Sequence, residues 1–377
     1  MRSRRITVLH VIHDLRFGGT ERRMLSVLGT LDRDRFEPRV ACILGLGEFA
    51  EDVRALGIEP VVIGRRSRAD WSGLPRLAGL VRSERADIVH GWLFLANLYA
   101  IVGGRLGWAP VVIAAEGGAV TTRSARKRAL HTAVGRALAP ATDAFVANSE
   151  AVAAALRATV PPGKVVVIRN GVDVGVGPTP AEVERARASI AASPGPVVGM
   201  VSRLDPHFKD HGTFLRAAAR VAATRPETTF TIVGDGPGRS EIERQVRELG
   251  LGDRVVLTGF RPDARAVIAA FDVSVLLSFS EGLSNVLLES MALARPVVAT
   301  AIAPNRELVE DGRTGTLVPV GDVAATADAI VALLGDPHEA QLRGLAARAR
   351  VASEFSLEAQ AERTMALYER LLARKRR

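Results

Sequence analysis

The 377 residues are 47% hydrophobic and 24% charged, a globular composition that excludes a disordered or fibrous chain and is long enough for two ordinary cores. The net charge of +9 is uneven: residues 1–175 hold 25 Lys+Arg against 16 Asp+Glu, whereas residues 176–377 hold 25 of each. This asymmetry points to an anionic partner for the first half, and the balanced second half excludes a uniformly basic coat.

The chain opens with a basic pentapeptide and then an apolar run, Ile6 to Ile12, which is interrupted by His10 and closed by His13 and Asp14. It therefore reads as a first strand and not as a signal peptide. The turn that follows, Phe17-Gly18-Gly19-Thr20-Glu21, leads into a helical pattern from Arg22 to Leu31. Glycines there let backbone amides approach a phosphate at a helix N-terminus, although a tight strand-to-helix turn uses the same residues. Further short runs are expected as strands at Arg39 to Leu44, Pro60 to Ile63, Asp87 to His90, Val111 to Ala115, Ala144 to Ala147 and Val165 to Ile168. Helical patterns separate them, so the first half predicts a parallel sheet covered on both faces. Cys42, the single cysteine, falls in one of these runs and is expected as a buried thiol. The apolar uncharged run Gly91 to Gly104 is shorter than the ~20 residues that span a bilayer.

Residues 175–195, rich in Gly, Pro and Ala, are expected to link domain 1–174 to domain 196–356. The second half repeats the alternation, with strands expected at Val197 to Val201, Thr229 to Val233, Val255 to Leu257, Val273 to Leu277, Val297 to Thr300 and Thr316 to Val318. A last amphipathic helix, Leu357 to Leu372, is expected to cross back to the first domain. Two doubly wound sheets of this kind bind ligands outside the carboxyl ends of their strands, and the reading is of two such edges facing one cleft.

Chemistry concentrates after the strands of the second half. Arg203 and Lys209, within Ser202-Arg203-Leu204-Asp205-Pro206-His207-Phe208-Lys209, flank a strand end where two cations neutralise a diphosphate leaving group. The turn Gly234-Asp235-Gly236-Pro237 follows the next strand without completing a dinucleotide fingerprint, which argues against hydride transfer. In Ser280-Glu281-Gly282-Leu283-Ser284-Asn285-Val286-Leu287-Leu288-Glu289, Glu281 lies at a strand end and Ser284 or Asn285 caps a helix. Glu289 lies one to two turns in, and two such carboxylates each suit a vicinal diol.

With Asn170-Gly171-Val172-Asp173 and Gly259-Phe260, these segments resemble, over nearly the whole chain, the retaining glycosyltransferases of family 4. The resemblance implies the GT-B fold, two Rossmann-like domains facing a central cleft. It also implies transfer of a sugar from a nucleotide diphosphate donor to an acceptor hydroxyl with retained anomeric configuration. It places Arg203 and Lys209 on the diphosphate, Glu281 on the transferred sugar and Glu289 on the ribose. The backbone near Gly18, Gly19, Gly234, Ser284 and Asn285 is assigned to the phosphates, and Phe260-Arg261 to the base through the main chain. No cofactor and no essential metal are implied.

One departure stands out: where relatives carry a His after the strand at Val111 to Ala115, this chain has Glu116-Gly117-Gly118. Glu116 and His90 are thus the candidates for the reaction centre in the first domain. That domain is expected to bind the acceptor, a glycan or a lipid-linked sugar. Arg65, Arg66 and Arg68, with Arg123, Arg126, Lys127, Arg128 and Arg136, mark a basic face for an anionic membrane, consistent with a cytoplasmic protein peripheral on the inner face. Aromatics make up only 5%, which argues against nucleic acid as the partner. The alternatives are a sugar-nucleotide epimerase of the same fold and a non-catalytic protein that binds a nucleotide or an anionic surface.

Overall fold

The computed structural model describes residues 4–65, 70–118, 125–175 and 177–376, without the side chains of 125–128. The first sheet is built from β1 (Ile6–Ile12), β2 (Phe36–Cys42), β3 (Val61–Val62), β4 (Ile88–Trp92), β5 (Val111–Glu116), β6 (Ala144–Ala147) and β7 (Val165–Val167). The second holds β8 (Val197–Val201), β9 (Thr229–Val233), β10 (Val255–Gly259), β11 (Val273–Leu276), β12 (Val297–Thr300) and β13 (Thr316–Val318). Their orders, β3-β2-β1-β4-β5-β6-β7 and β10-β9-β8-β11-β12-β13, are the same doubly wound scheme, with every pair parallel. The order reverses between β1 and β4 and between β8 and β11, and such switch points open a crevice beyond the strand ends.

The helices of the first half are α1 (Gly19–Thr30), α2 (Ala50–Ala55), α3 (Gly73–Ser83), α4 (Phe94–Leu106), α5 (Ala125–Leu138) and α6 (Glu150–Arg157). Next come α7 (Pro180–Ile190), α8 (His211–Thr224), α9 (Arg239–Glu248), α10 (Ala264–Ala269), α11 (Asn285–Ala292) and α12 (Ala303–Leu308). The last three are α13 (Val323–Gly335), α14 (Pro337–Glu354) and α15 (Leu357–Lys375).

Both faces of both sheets are buried, which is why their strands are nearly continuous apolar runs. In the first sheet Val8, Ile12, Ile88 and Trp92 pack with Met24 and Leu28 of α1 and Leu367 and Leu371 of α15. The alternate residues Leu9, Val11, Val89 and Val112 face Leu77 of α3 and Ala96 and Tyr99 of α4. Cys42 is fully buried, and burial pushes its thiol up to about 12. In the second sheet Val198, Met200 and Val273 pack on Phe214 and Leu215 of α8, while Leu276 and Val297 meet Leu287, Leu288 and Met291 of α11.

The chain divides into two compact units, Met1–Gly171 with Leu357–Arg377, and Val172–Ser356. Within the stretch expected as a linker, α7 is closed by a capping box of Thr179 and Glu182 and buries Ala186 and Ile190 against Val197 and Phe271 of the second unit. Helix α15 belongs to the first unit, where Gln360 accepts a hydrogen bond from the Gly171 amide (3.0 Å).

Candidate active site

In the second unit, the loops leaving the switch-point strands β8 and β11 are tied together. The Asp210 amide donates to Leu277 O (3.0 Å) and the Phe279 amide to Phe208 O (2.8 Å). This brings Lys209 and Glu281, 72 residues apart, into an ion pair with both side chains about 85% buried. Ser278 Oγ donates to Glu281 Oε1 (2.6 Å) and lies 3.3 Å from Lys209 Nζ. Ser278 itself is held at its amide by Thr300 Oγ1 (3.0 Å), so the carboxylate is oriented by a chain of hydrogen bonds anchored in the sheet. Removing either charge would strand the other in a site with little water.

Glu281 is followed by the turn into α11, where Ser284 is the N-cap and its hydroxyl accepts from the Leu287 amide (3.3 Å). Asn285 opens the helix, and Glu289, 7% exposed, lies one turn in. The helix N-terminus adds a partial positive charge beside the Lys209–Glu281 pair. His211, first in α8, sits 2.8 Å from Ser202 Oγ, and burial, with a smaller contribution from Lys209, pulls it down to about 4. It is a neutral partner at pH 7. Arg203 is exposed at the end of β8 and makes no ion pair among the described residues.

The turn after β9 is made by Gly234 (φ +132°) and Gly236 (φ +158°). A Cβ on Gly234 would stand 2.0 Å from Ser202 O, so only glycine lets this turn pass against the β8 loop. The Arg261 guanidinium is occupied by Asp263 (2.6 and 2.7 Å) and Ser189 (2.9 Å), leaving its backbone as the part that can meet a ligand.

In the first unit, Gly18 caps α1 in an extended conformation with no side chain, Gly19 is the first helical residue, and the Glu21 carboxyl folds back over the turn. Gly117 lies beside Thr20 Oγ1, and its carbonyl accepts from Asn148 Nδ2 (3.0 Å), so the ends of β1, β5 and β6 converge. Glu116 ends β5 there. Asn97 Nδ2 donates to Glu116 Oε1 (2.8 Å) and to Ala115 O (3.0 Å). Burial, against that hydrogen bond, pushes the Glu116 carboxyl up to about 7, so a substantial fraction is protonated at neutral pH.

His90 corrects an expectation. It lies inside β4, is 2% exposed, and its Nδ1 is 2.7 Å from Tyr368 Oη of α15. Trp92 stacks on it at 4.6 Å and His10 lies 5.5 Å away. Burial holds both histidines neutral, so His90 is a core residue that ties α15 to the sheet and not a reaction-centre group. Ser278, His211, Asn97 and Asn148 went unnoticed in the sequence, because each is a single polar residue at a strand or helix end and only the loop pairing gives it a partner.

Of the basic face, Arg66, Arg68 and Arg123 and the side chains of Arg126, Lys127 and Arg128 lie outside the described residues; Arg136 is exposed on α5, as is Leu130. Among the described residues no three His, Cys, Asp or Glu side chains are grouped to hold a metal ion, and no helix is long and apolar enough to cross a membrane.

The family profile described as Glycosyltransferase Family 4 matches residues 17–176, and that described as Glycosyl transferases group 1 matches residues 195–336. Over 201 residues the chain is 36% identical to 2-deoxystreptamine glucosyltransferase of Streptomyces kanamyceticus, covering 52% of each protein. It is 31% identical over 300 residues to glycogen synthase of Mycobacterium tuberculosis, covering 77% of this chain and 70% of that one. The chain thus spans about half the length of the glucosyltransferase it matches. In fold it is similar to Anabaena HepE, solved with UDP and glucose, with a TM-score of 0.85, 22% identity, and 97% and 99% of the two chains covered.

Proposed function

Because the chain belongs to the group 1 glycosyltransferases, we propose that it moves a sugar from a nucleoside diphosphate donor to an acceptor hydroxyl with retention of anomeric configuration, in the synthesis of a glycan, polysaccharide or glycolipid. The observation that carries this reading is the Lys209–Ser278–Glu281 constellation at the β8/β11 switch point, directly before the N-terminus of α11.

Lys209, the exposed Arg203 and the α11 amides offer positive charge where a diphosphate departs. Glu281, held by Ser278, accepts from hydroxyls of the transferred sugar. Glu289 takes the ribose. The backbone about Gly234 and Arg261 lies along the phosphates and base, and the Gly18-Gly19 turn of the first unit offers backbone amides to a phosphate. In the reaction the donor C1–O bond breaks as the acceptor oxygen bonds to C1 on the same face. The hydroxyl proton passes to a donor phosphate oxygen, and the nucleoside diphosphate leaves. No enzyme nucleophile is then needed, and neither a metal nor a cofactor is invoked. Similarity to a structure containing UDP supports a uridine donor as the first to try. Exposed Leu130 and Arg136, both on α5, support an acceptor met at an anionic membrane surface.

Calorimetric titration with UDP, GDP and ADP in EDTA tests the donor site. One nucleoside diphosphate binds, and Arg203→Ala weakens it by about tenfold, the loss of one charge-assisted contact. Glu281→Ala abolishes sugar transfer while retaining nucleoside diphosphate affinity. Wild-type transfer by Glu281→Ala would remove the donor-site assignment.

A further inference from the structure

Behind Glu116 the first unit contains a cavity of about 310 Å³ between the sheet and α4, α5 and α6. Its walls are Phe94, Leu98 and Ile101 of α4, Leu138 of α5, Phe145 of β6 and Leu156 of α6. Glu116 and His131 are its titratable lining residues, and His131 lies flat on Phe94 at 3.6 Å. No lysine or arginine lines it among the described residues. Sequence reading singled out Glu116 but gave no sign of a cavity, because the lining is drawn from three helices and two strands.

Residues 94–101 of α4 and 131–138 of α5 line it over two helical turns, about 10 Å, an apolar wall long enough for a hydrocarbon segment. One end is at Glu116 and Gly118, the carboxyl edge of the first sheet, where doubly wound sheets bind their ligands.

We propose that this cavity holds the apolar chain of an amphiphilic acceptor, a single alkyl or prenyl segment whose polar head lies at Glu116; the assignment rests on the transferase reading given above. Glu116 suits that position. Its Oε1 is held by Asn97, and in its protonated form its other oxygen can donate to a neutral ether or hydroxyl. A small polar acceptor would leave the apolar walls wet.

Gly135 provides the test. It lines the cavity from α5, and a Cβ placed on it has no atom within 4 Å. Gly135→Leu therefore starts from open space on the cavity wall, puts a side chain into the cavity, and replaces a glycine inside a helix, which favours the fold. The full-length protein is titrated with n-octyl β-glucoside below its micellar concentration and with methyl β-glucoside. The octyl compound binds one-to-one and the methyl compound does not. Gly135→Leu weakens octyl binding by about tenfold or more with an unchanged or raised melting temperature. Leu156→Trp, filling from α6, gives the same loss should the first variant misfold.

Equal binding by the variants, or no octyl binding by a protein that does bind a nucleoside diphosphate, overturns the proposal. Octyl binding that survives when no nucleoside diphosphate binds would retain the pocket and remove the transferase reading instead.

Discussion

Replacing Glu116 with Gln removes a proton-binding site while keeping the oxygen that Asn97 holds. The carboxyl moves from 4.5 to about 7 on folding, so the folded chain retains a proton that the unfolded chain has released. At 1.36 kcal/mol per pH unit this costs the wild type about 3 kcal/mol above pH 7 and little below pH 5. The sign is therefore fixed: wild-type stability falls as pH rises from 5 to 8, and the Glu116→Gln variant escapes that fall. Because Glu116 keeps some contact with solvent, a difference of about 2 kcal/mol is expected. For a unit of this size that is roughly 4–8 °C in melting temperature. Thermal melts of both proteins at pH 5, 6, 7 and 8 measure it. The curves should nearly coincide at pH 5 and separate by pH 8, with Glu116→Gln the more stable. A constant difference across the range, or a wild type that gains stability with pH, would refute the assignment of a protonated Glu116.

Gly234→Ala sets a Cβ against Ser202 O at a backbone angle that L residues avoid, and it should cost about 2–4 kcal/mol and weaken nucleoside diphosphate binding; an unchanged melt and affinity would mean that the turn has room to move. Tyr368→Phe leaves the buried His90 Nδ1 without its partner, so the urea midpoint should fall by the equivalent of about 1–3 kcal/mol while nucleoside diphosphate affinity holds, and an unchanged midpoint would mean that this hydrogen bond does not hold α15 to the sheet.

The doubly wound architecture was legible because each strand is apolar on both faces and the helices between are amphipathic, a pattern tied to one sheet type. Thr229 to Val233 and Val297 to Thr300 were read to the residue. Asp87 to His90 was read two residues short at its C-terminal end, since Gly91 and Trp92 resemble a turn until α15 is seen to pack on Trp92. That same cover made His90 unreadable: a histidine at a strand end and one sealed by Tyr368, 278 positions later, look identical in the sequence. Lys209 and Glu281 were separately visible as charges after strands, but their pairing depends on the β8 and β11 loops exchanging backbone hydrogen bonds. The cavity behind Glu116 left no trace, because an apolar residue that lines a void and one that fills a core obey the same periodicity.

The return of α15 has a consequence for how the protein is made. Domains fold as units, amino-terminal first, during synthesis. Here the amino-terminal sheet is complete in its strands by Val167, yet the surface formed by Val8, Ile88 and Trp92, which α1 covers in part, gains the rest of its cover only when Leu367, Tyr368 and Leu371 emerge some two hundred residues later. The unit synthesised first is thus the one finished last. Through that interval the part of its apolar face that α15 will cover is open to chaperones and to neighbouring nascent chains, while Val172–Ser356 is a continuous stretch of chain.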